Sequence, residues 1–82
     1  MANFYPPFEL AEKAGKKVIE IDAPDLDILM KKGGEVLGVD LYAESKKWAV
    51  LVNGRNIRFL QSWKTPLKAD DDVFFISGSG GG

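Results

Sequence analysis

Eighty-two residues make one small domain, and a chain of this size buries only about 60% of its extended surface on folding. Eleven basic and twelve acidic residues give a net charge of −1, with 45% apolar and 28% charged residues; this is an ordinary globular profile without the basic excess of a nucleic-acid binder. Cysteine and histidine are both absent, which excludes disulfides, thiolate metal sites, a cysteine nucleophile and the usual histidine general base. Any chemistry must come from carboxylates, lysines, hydroxyls, the backbone or the chain termini.

No address or membrane span is legible. The longest wholly apolar stretch near the middle, Trp48 to Val52, falls far short of the ~20 residues that a bilayer requires. Met1-Ala2-Asn3-Phe4 has neither a positive n-region nor an apolar h-region. The expectation is a cytoplasmic protein with no membrane partner.

In chain order, Asn3-Phe4-Tyr5 is a short strand, stopped by Pro6-Pro7, which cannot donate to a ladder. Phe8 to Gly15 places Phe8, Leu10, Ala11 and Ala14 near helical spacing and ends on glycine, so a short helical turn or structured loop is expected. Lys17 to Asp22 is β-branched and bounded by Gly15 and Pro24, a strand. A helix follows. Pro24 suits its first turn, Asp25 and Asp27 its positive end, and Leu26, Leu29 and Met30 form one apolar face. Lys31 and Lys32 complement its C-terminal end, and Gly33-Gly34 should stop it. Glu35 to Lys47 fits neither the helical nor the strand period.

Trp48 to Val52 is the clearest strand. Asn53-Gly54 is a hairpin turn in which both residues can take positive φ. Asn56 to Leu60 is the expected returning strand. Ser62 to Ala69 is a connection with a turn at Thr65-Pro66, and Leu67 anchors it in the core. Asp70-Asp71-Asp72 ends the connection and Val73 to Ile76 is the last strand. Residues 1–76 then form the domain. Ser77 to Gly82 carries no side chain larger than a hydroxyl, so this tail is expected to be disordered in the free protein. The order of elements favours α+β over a doubly wound sheet.

Gly80-Gly81-Gly82 would present an α-carboxylate on a thin stalk. Without Cβ atoms, such a backbone enters channels closed to other residues. A carboxylate held away from its own fold can be delivered into another protein's active site and activated as an acyl-adenylate. The competing reading is a frayed end.

The residues Val50 to Leu60, then Thr65-Pro66-Leu67-Lys68, Asp71-Asp72-Val73 and Gly81-Gly82, resemble the MoaD/ThiS sulfur-carrier family. That family includes the small subunit of molybdopterin synthase and the ubiquitin-related modifiers. Phe8-Glu9-Leu10-Ala11, Gly15-Lys16-Lys17 and Ile19-Glu20-Ile21 are similar to the family's first hairpin region. The resemblance covers nearly the whole chain. It implies an α+β, ubiquitin-like β-grasp fold, with a mixed four- to five-stranded sheet packed on one main helix. It also implies that an E1-like enzyme adenylates the carboxylate of Gly82, using ATP and magnesium that the partner binds. Sulfur then replaces the adenylate, leaving a thiocarboxylate. Gly81 and Gly80 give reach. This chain itself needs no bound cofactor or metal and is not an enzyme on this reading.

Three departures from the family pattern stand out. The first strand is shorter than usual. Asp70 stands where the family has glycine before the last strand, and aspartate tolerates the left-handed conformation better than most residues. Ser77-Gly78 replaces a Pro-Pro pair, so ordering the tail on docking costs more entropy.

Strand parity puts Phe74 and Ile76, with Leu51 of the neighbouring strand, on the face away from the helix. That makes them the expected partner patch; the competing reading packs Phe74 and Ile76 under Glu35 to Lys47. Arg58 and Arg55 can meet acidic groups of a partner or remain solvated. The aspartate run reads as turn chemistry, since the remaining ligands of a calcium loop are missing. Trp48 and Trp63 read as core or rim packing. Molybdopterin synthesis, with the large catalytic subunit of molybdopterin synthase as a further partner, is the favoured role. Conjugation to lysines as a ubiquitin-like modifier, and an interaction module with an inert tail, stay open.

Overall fold

A computed structural model describes residues 1–77. In chain order these form β1 (Ala2–Tyr5), α1 (Phe8–Ala14), β2 (Ile19–Ile21), α2 (Leu26–Leu37), α3 (Leu41–Glu44), β3 (Trp48–Val52) and β4 (Arg55–Asn56). Two 3-10 turns, Ile57–Phe59 and Ser62–Lys64, lead to β5 (Asp72–Ser77). The five strands form one sheet in the order β2-β1-β5-β3-β4. β1 and β5 run parallel at its centre, and every other pair is antiparallel. With α2 packed on one face, this is the ubiquitin-like β-grasp expected from the sequence.

The core lies between α2 and that face. Alternation sends Phe4, Val50, Val52, Val73 and Phe75 inward, all buried. Leu26, Leu29 and Met30 meet them from α2 and are almost fully enclosed. Leu67 is buried as the anchor of the long connection, its N–H donating to the Pro24 carbonyl at 3.0 Å. Trp48 and Trp63 are partly buried against this core, Trp63 edge-on to Tyr42 at 5.2 Å.

Several expectations need correcting. Gly33-Gly34 does not stop α2, which continues to Leu37 and closes at Gly38 with φ 71°. Both glycines are buried inside the helix, where they permit close approach rather than termination. Lys31 and Lys32 are therefore mid-helix. Lys31 pairs with Asp27 at 3.8 Å, and Lys32 Nζ donates to the Asp22 carbonyl. Pro24 lies outside the helix, because Asp25 is the N-cap and its carboxylate accepts the Ile28 N–H at 2.9 Å. The ambiguous segment 35–47 contains the end of α2 and all of α3. Asp40 caps α3, accepting from the Tyr42 N–H at 3.0 Å.

Phe8 to Ala14 is a true helix of two turns, ended by Gly15 in the left-handed region. Leu10 faces inward, but Phe8 is 71% exposed and does not join the core. The Asn53-Gly54 turn forms as expected, with φ of 52° and 83°. The returning strand is only two residues long. The Asn56 side chain accepts the Arg58 N–H at 2.9 Å and turns the chain into a 3-10 helix.

Candidate functional site

Gly80, Gly81 and Gly82, expected to carry the chemistry, lie outside the described residues, as do Gly78 and Ser79. The structure instead fixes the root from which they extend. β5 is the central strand, and Tyr5 of β1 pairs with Phe74. Beyond that pair the chain of β1 turns away at Pro6-Pro7, whose rings leave no N–H to extend the ladder. Phe75, Ile76 and Ser77 remain paired on the other side with Val50, Ala49 and Trp48 of β3.

That departure leaves a groove of about 630 Å3 beside Phe74 and Phe75 of β5. Tyr5, Pro6, Phe8, Ala11, Phe74 and Phe75 form its apolar lining, and Glu12 and Lys17 are its charged members. Tyr5 and Phe74 stack nearly parallel, with centroids 4.2 Å apart and planes 8° apart. On the opposite face, Phe4 meets Phe75 edge-on at 5.6 Å. The site is thus built on the β1–β5 strand pair together with α1 and its flanking residues.

Leu51 and Phe74 are direct cross-strand partners, and Ile76 lies two residues further along the same face. Ile76 is 43% exposed, whereas Leu51 and Phe74 are half-buried. Phe74 owes its partial burial to the Tyr5 ring. Segment 35–47 packs on the other face, where Leu41 is buried, so it does not cover Phe74 and Ile76. Arg58 stands apart from this row, exposed in the 3-10 turn beyond β4.

Sequence reasoning passed over Tyr5 and Phe8. Tyr5 was legible, since its parity is opposite to that of buried Phe4. Phe8 had no such signal, because its spacing from Leu10 and Ala11 placed it with the buried face.

The aspartate run ties the far end of the sheet together. Asp70 adopts φ 69°, and its N–H donates to the Met1 carbonyl at 2.9 Å. Asp71 accepts the Lys68 N–H at 2.7 Å and an Asn53 Nδ2–H at 3.0 Å. These two bonds, the backbone one first, hold its carboxyl below the ordinary value of 3.8. Asp72 accepts from Asn3 Nδ2 at 3.1 Å, and its N–H donates to Asn53 Oδ1 at 2.9 Å. Turn chemistry accounts for all three aspartates. Among the described residues, no helix is long and apolar enough to cross a membrane.

No protein-family model and no curated protein sequence matches the chain. Solved structures do. The solution structure of small archaeal modifier protein 1 from Methanosarcina acetivorans is 18% identical, over 99% of this chain and 95% of that one, with a TM-score of 0.72. A crystal structure of the protein of that name from Haloferax volcanii is 20% identical over 99% of this chain and 98% of that one, with a TM-score of 0.64. A second crystal structure from H. volcanii is 18% identical over 93% and 94%, with a TM-score of 0.59. At these identities the likeness is one of fold. The chain has the ubiquitin-like β-grasp fold of these modifier proteins, the fold that its resemblance to the MoaD/ThiS sulfur carriers implies.

Proposed function

We propose that the chain is a sulfur carrier acting through the carboxyl group of Gly82. The observation that carries this reading is the placement of β5, the central strand of the sheet. It runs out beside an apolar groove and continues in sequence into Gly78-Ser79-Gly80-Gly81-Gly82. A carboxylate oxygen of Gly82 attacks the α-phosphorus of ATP in an E1-like adenylating enzyme, and pyrophosphate leaves. A hydrosulfide sulfur then attacks the acyl carbon, and AMP leaves with the oxygen. The product is a thiocarboxylate, which donates its sulfur to an acceptor. The acceptor we assign is the molybdopterin precursor held by the large catalytic subunit of molybdopterin synthase. ATP and magnesium belong to the partner, and this chain is a cytoplasmic co-substrate rather than an enzyme.

The names of the structural neighbours, small archaeal modifier proteins, favour a second reading, in which Gly82 is joined to lysines of other proteins. One experiment addresses both. The protein is incubated with its cognate adenylating enzyme, ATP and a sulfide source, and its intact mass is measured. Replacement of one oxygen by sulfur at Gly82 supports the carrier. Mass unchanged, with no adenylate trapped, overturns both readings. A ladder of conjugates in native extract that disappears on deletion of Gly81-Gly82 selects the modifier.

A further inference from the structure

The net charge of −1 conceals a strong segregation. Between Ser45 and Ala69 lie six of the eleven basic residues and none of the twelve acidic ones, which leaves five basic against twelve acidic elsewhere. Three of the six cations, Arg55, Arg58 and Lys64, lie on the edge formed by β4 and the two 3-10 turns, and a fourth, Lys68, follows in the connection to β5. All four are exposed, and none has an ion-pair partner among the described residues. Arg55 and Lys68 line one groove. Its only carboxylate, Asp71, is already engaged by the Lys68 N–H and Asn53.

Phe59 rises from this edge. It is 84% exposed, the most exposed large apolar side chain among the described residues. Local geometry sets this exposure. In a 3-10 turn, side chains at i and i+3 eclipse, so Ile57 and Leu60 share the inner side. Ile57 is buried and Leu60 packs against the core. Arg58 and Phe59, between them, are thrust outward. The turn is pinned at both ends, by the Arg58 N–H on Asn56 Oδ1 at 2.9 Å and the Leu60 N–H on the Ile57 carbonyl at 3.0 Å. The backbone that carries Phe59 is therefore held in place, which removes part of the ordering cost of binding.

We propose that this edge is a second docking element for the adenylating enzyme: Phe59 enters an apolar recess of that protein, ringed by carboxylates that meet Arg55, Arg58 and Lys64. The inference rests on the sulfur-carrier reading and adds a contact on the opposite flank of β3 from the groove beside β5. An acidic protein surface fits better than a nucleic acid. A polyanion longer than about one Debye length, ~10 Å, would run from this edge onto a surface with acidic excess. A compact acidic patch meets only the cations. The segregated charge also orients the domain before contact, which raises the association rate more than the final affinity.

The test is pyrophosphate exchange by the cognate adenylating enzyme over a range of concentrations of this protein and of salt. Phe59→Ala is expected to raise KM about tenfold with kcat unchanged, the effect of losing a central anchor. The double variant Arg55→Glu and Arg58→Glu is expected to raise KM by at least as much and to flatten its salt dependence. All three residues are exposed, so thermal unfolding of the variants should match the parent. Parent-like KM and salt dependence in both variants overturn the proposal and leave the sulfur-carrier reading intact. No exchange with the unmodified protein overturns that reading, and this one with it. Salt-sensitive binding of a labelled single-stranded oligonucleotide that Phe59→Ala abolishes, with unchanged exchange kinetics, reassigns the edge to nucleic acid.

Discussion

Gly33 lies so close to Phe4 that a methyl group on its Cα would stand 3.0 Å from the ring carbon Cε2, and equally close to Leu41 Cδ1. This contact brings α2 down onto β1 and α3 onto α2. At Gly34 the obstacle is backbone, since a Cβ would stand 2.7 Å from the Val39 carbonyl oxygen. Alanine in a helix interior gains about 1 kcal/mol over glycine from propensity, and overpacking costs about 1–3 kcal/mol. At Gly33 the neighbours are side chains that can yield, so the two effects nearly cancel. At Gly34 the chain after the Gly38 cap must move, and the Gly34 carbonyl already accepts from the Gly38 and Val39 N–H groups. Gly34→Ala is expected to destabilise by about 2 kcal/mol and Gly33→Ala by under about 1 kcal/mol. Urea unfolding of the two variants gives the order.

The same pair of glycines shows where the sequence stops being legible. Gly33-Gly34 carries a stop signal in any local reading, whereas the close approach of Phe4, Leu41 and the Val39 carbonyl, which no such reading shows, is what calls for glycine inside the helix. The strands that read well, Trp48–Val52 and Val73–Ile76, owe their clarity to alternation against one buried face. The returning strand failed because Asn56 competes for the backbone through its own side chain. At the candidate site, parity was enough to place Leu51, Phe74 and Ile76 on the open face. The Tyr5–Phe74 stack depends on the parallel pairing of the first and last strands, which no local pattern encodes. Phe8 became part of the groove because α1 buries Leu10 instead.

Asp70 holds the left-handed conformation that the resemblance assigns to glycine, with φ 69°. For a residue with a Cβ this region costs about 1–2 kcal/mol, less for aspartate than for most. Asp70→Gly removes that cost and loses about 0.5–1 kcal/mol through the freer unfolded chain. The result should lie within about 0.5 kcal/mol of the parent, whereas Asp70→Ala should be about 1 kcal/mol less stable. Thermal melts of both variants at one pH measure the difference.

Asp71 gives the protein a defined acid dependence. The Lys68 N–H and Asn53 bonds favour its ionised form, so its folded pKa lies below 3.8. A lowered carboxyl pKa means stability that is present above the unfolded value and lost as pH falls through the folded one. The loss begins near about pH 5 and is complete below the lowered pKa. Asp71→Asn should be less stable than the parent at neutral pH, and the two stabilities should converge in acid. Urea midpoints measured from neutral pH down to the acid limit test this. Parallel curves at every pH would show that Asp71 contributes nothing through its charge.

Ile76 separates docking from folding better than any neighbour. Phe74 stacks on Tyr5 and Leu51 is half-buried, so substitutions there perturb the sheet as well as the patch. Ile76 is 43% exposed and lies opposite Ala49, so it loses little packing when replaced. Ile76→Thr keeps β-branching, and its expected cost in stability is under about 1 kcal/mol. If the open face beside β5 seats the adenylating enzyme, the same change should raise KM in pyrophosphate exchange about fivefold with kcat unchanged. Ile76→Asp should raise KM further, because it places a charge in an apolar contact. Combined with Phe59→Ala, Ile76→Thr should act additively on log KM, since β3 separates the two positions and they share no contact. A KM unmoved by both Ile76 variants, with the fold intact, would place the enzyme on another face of the domain.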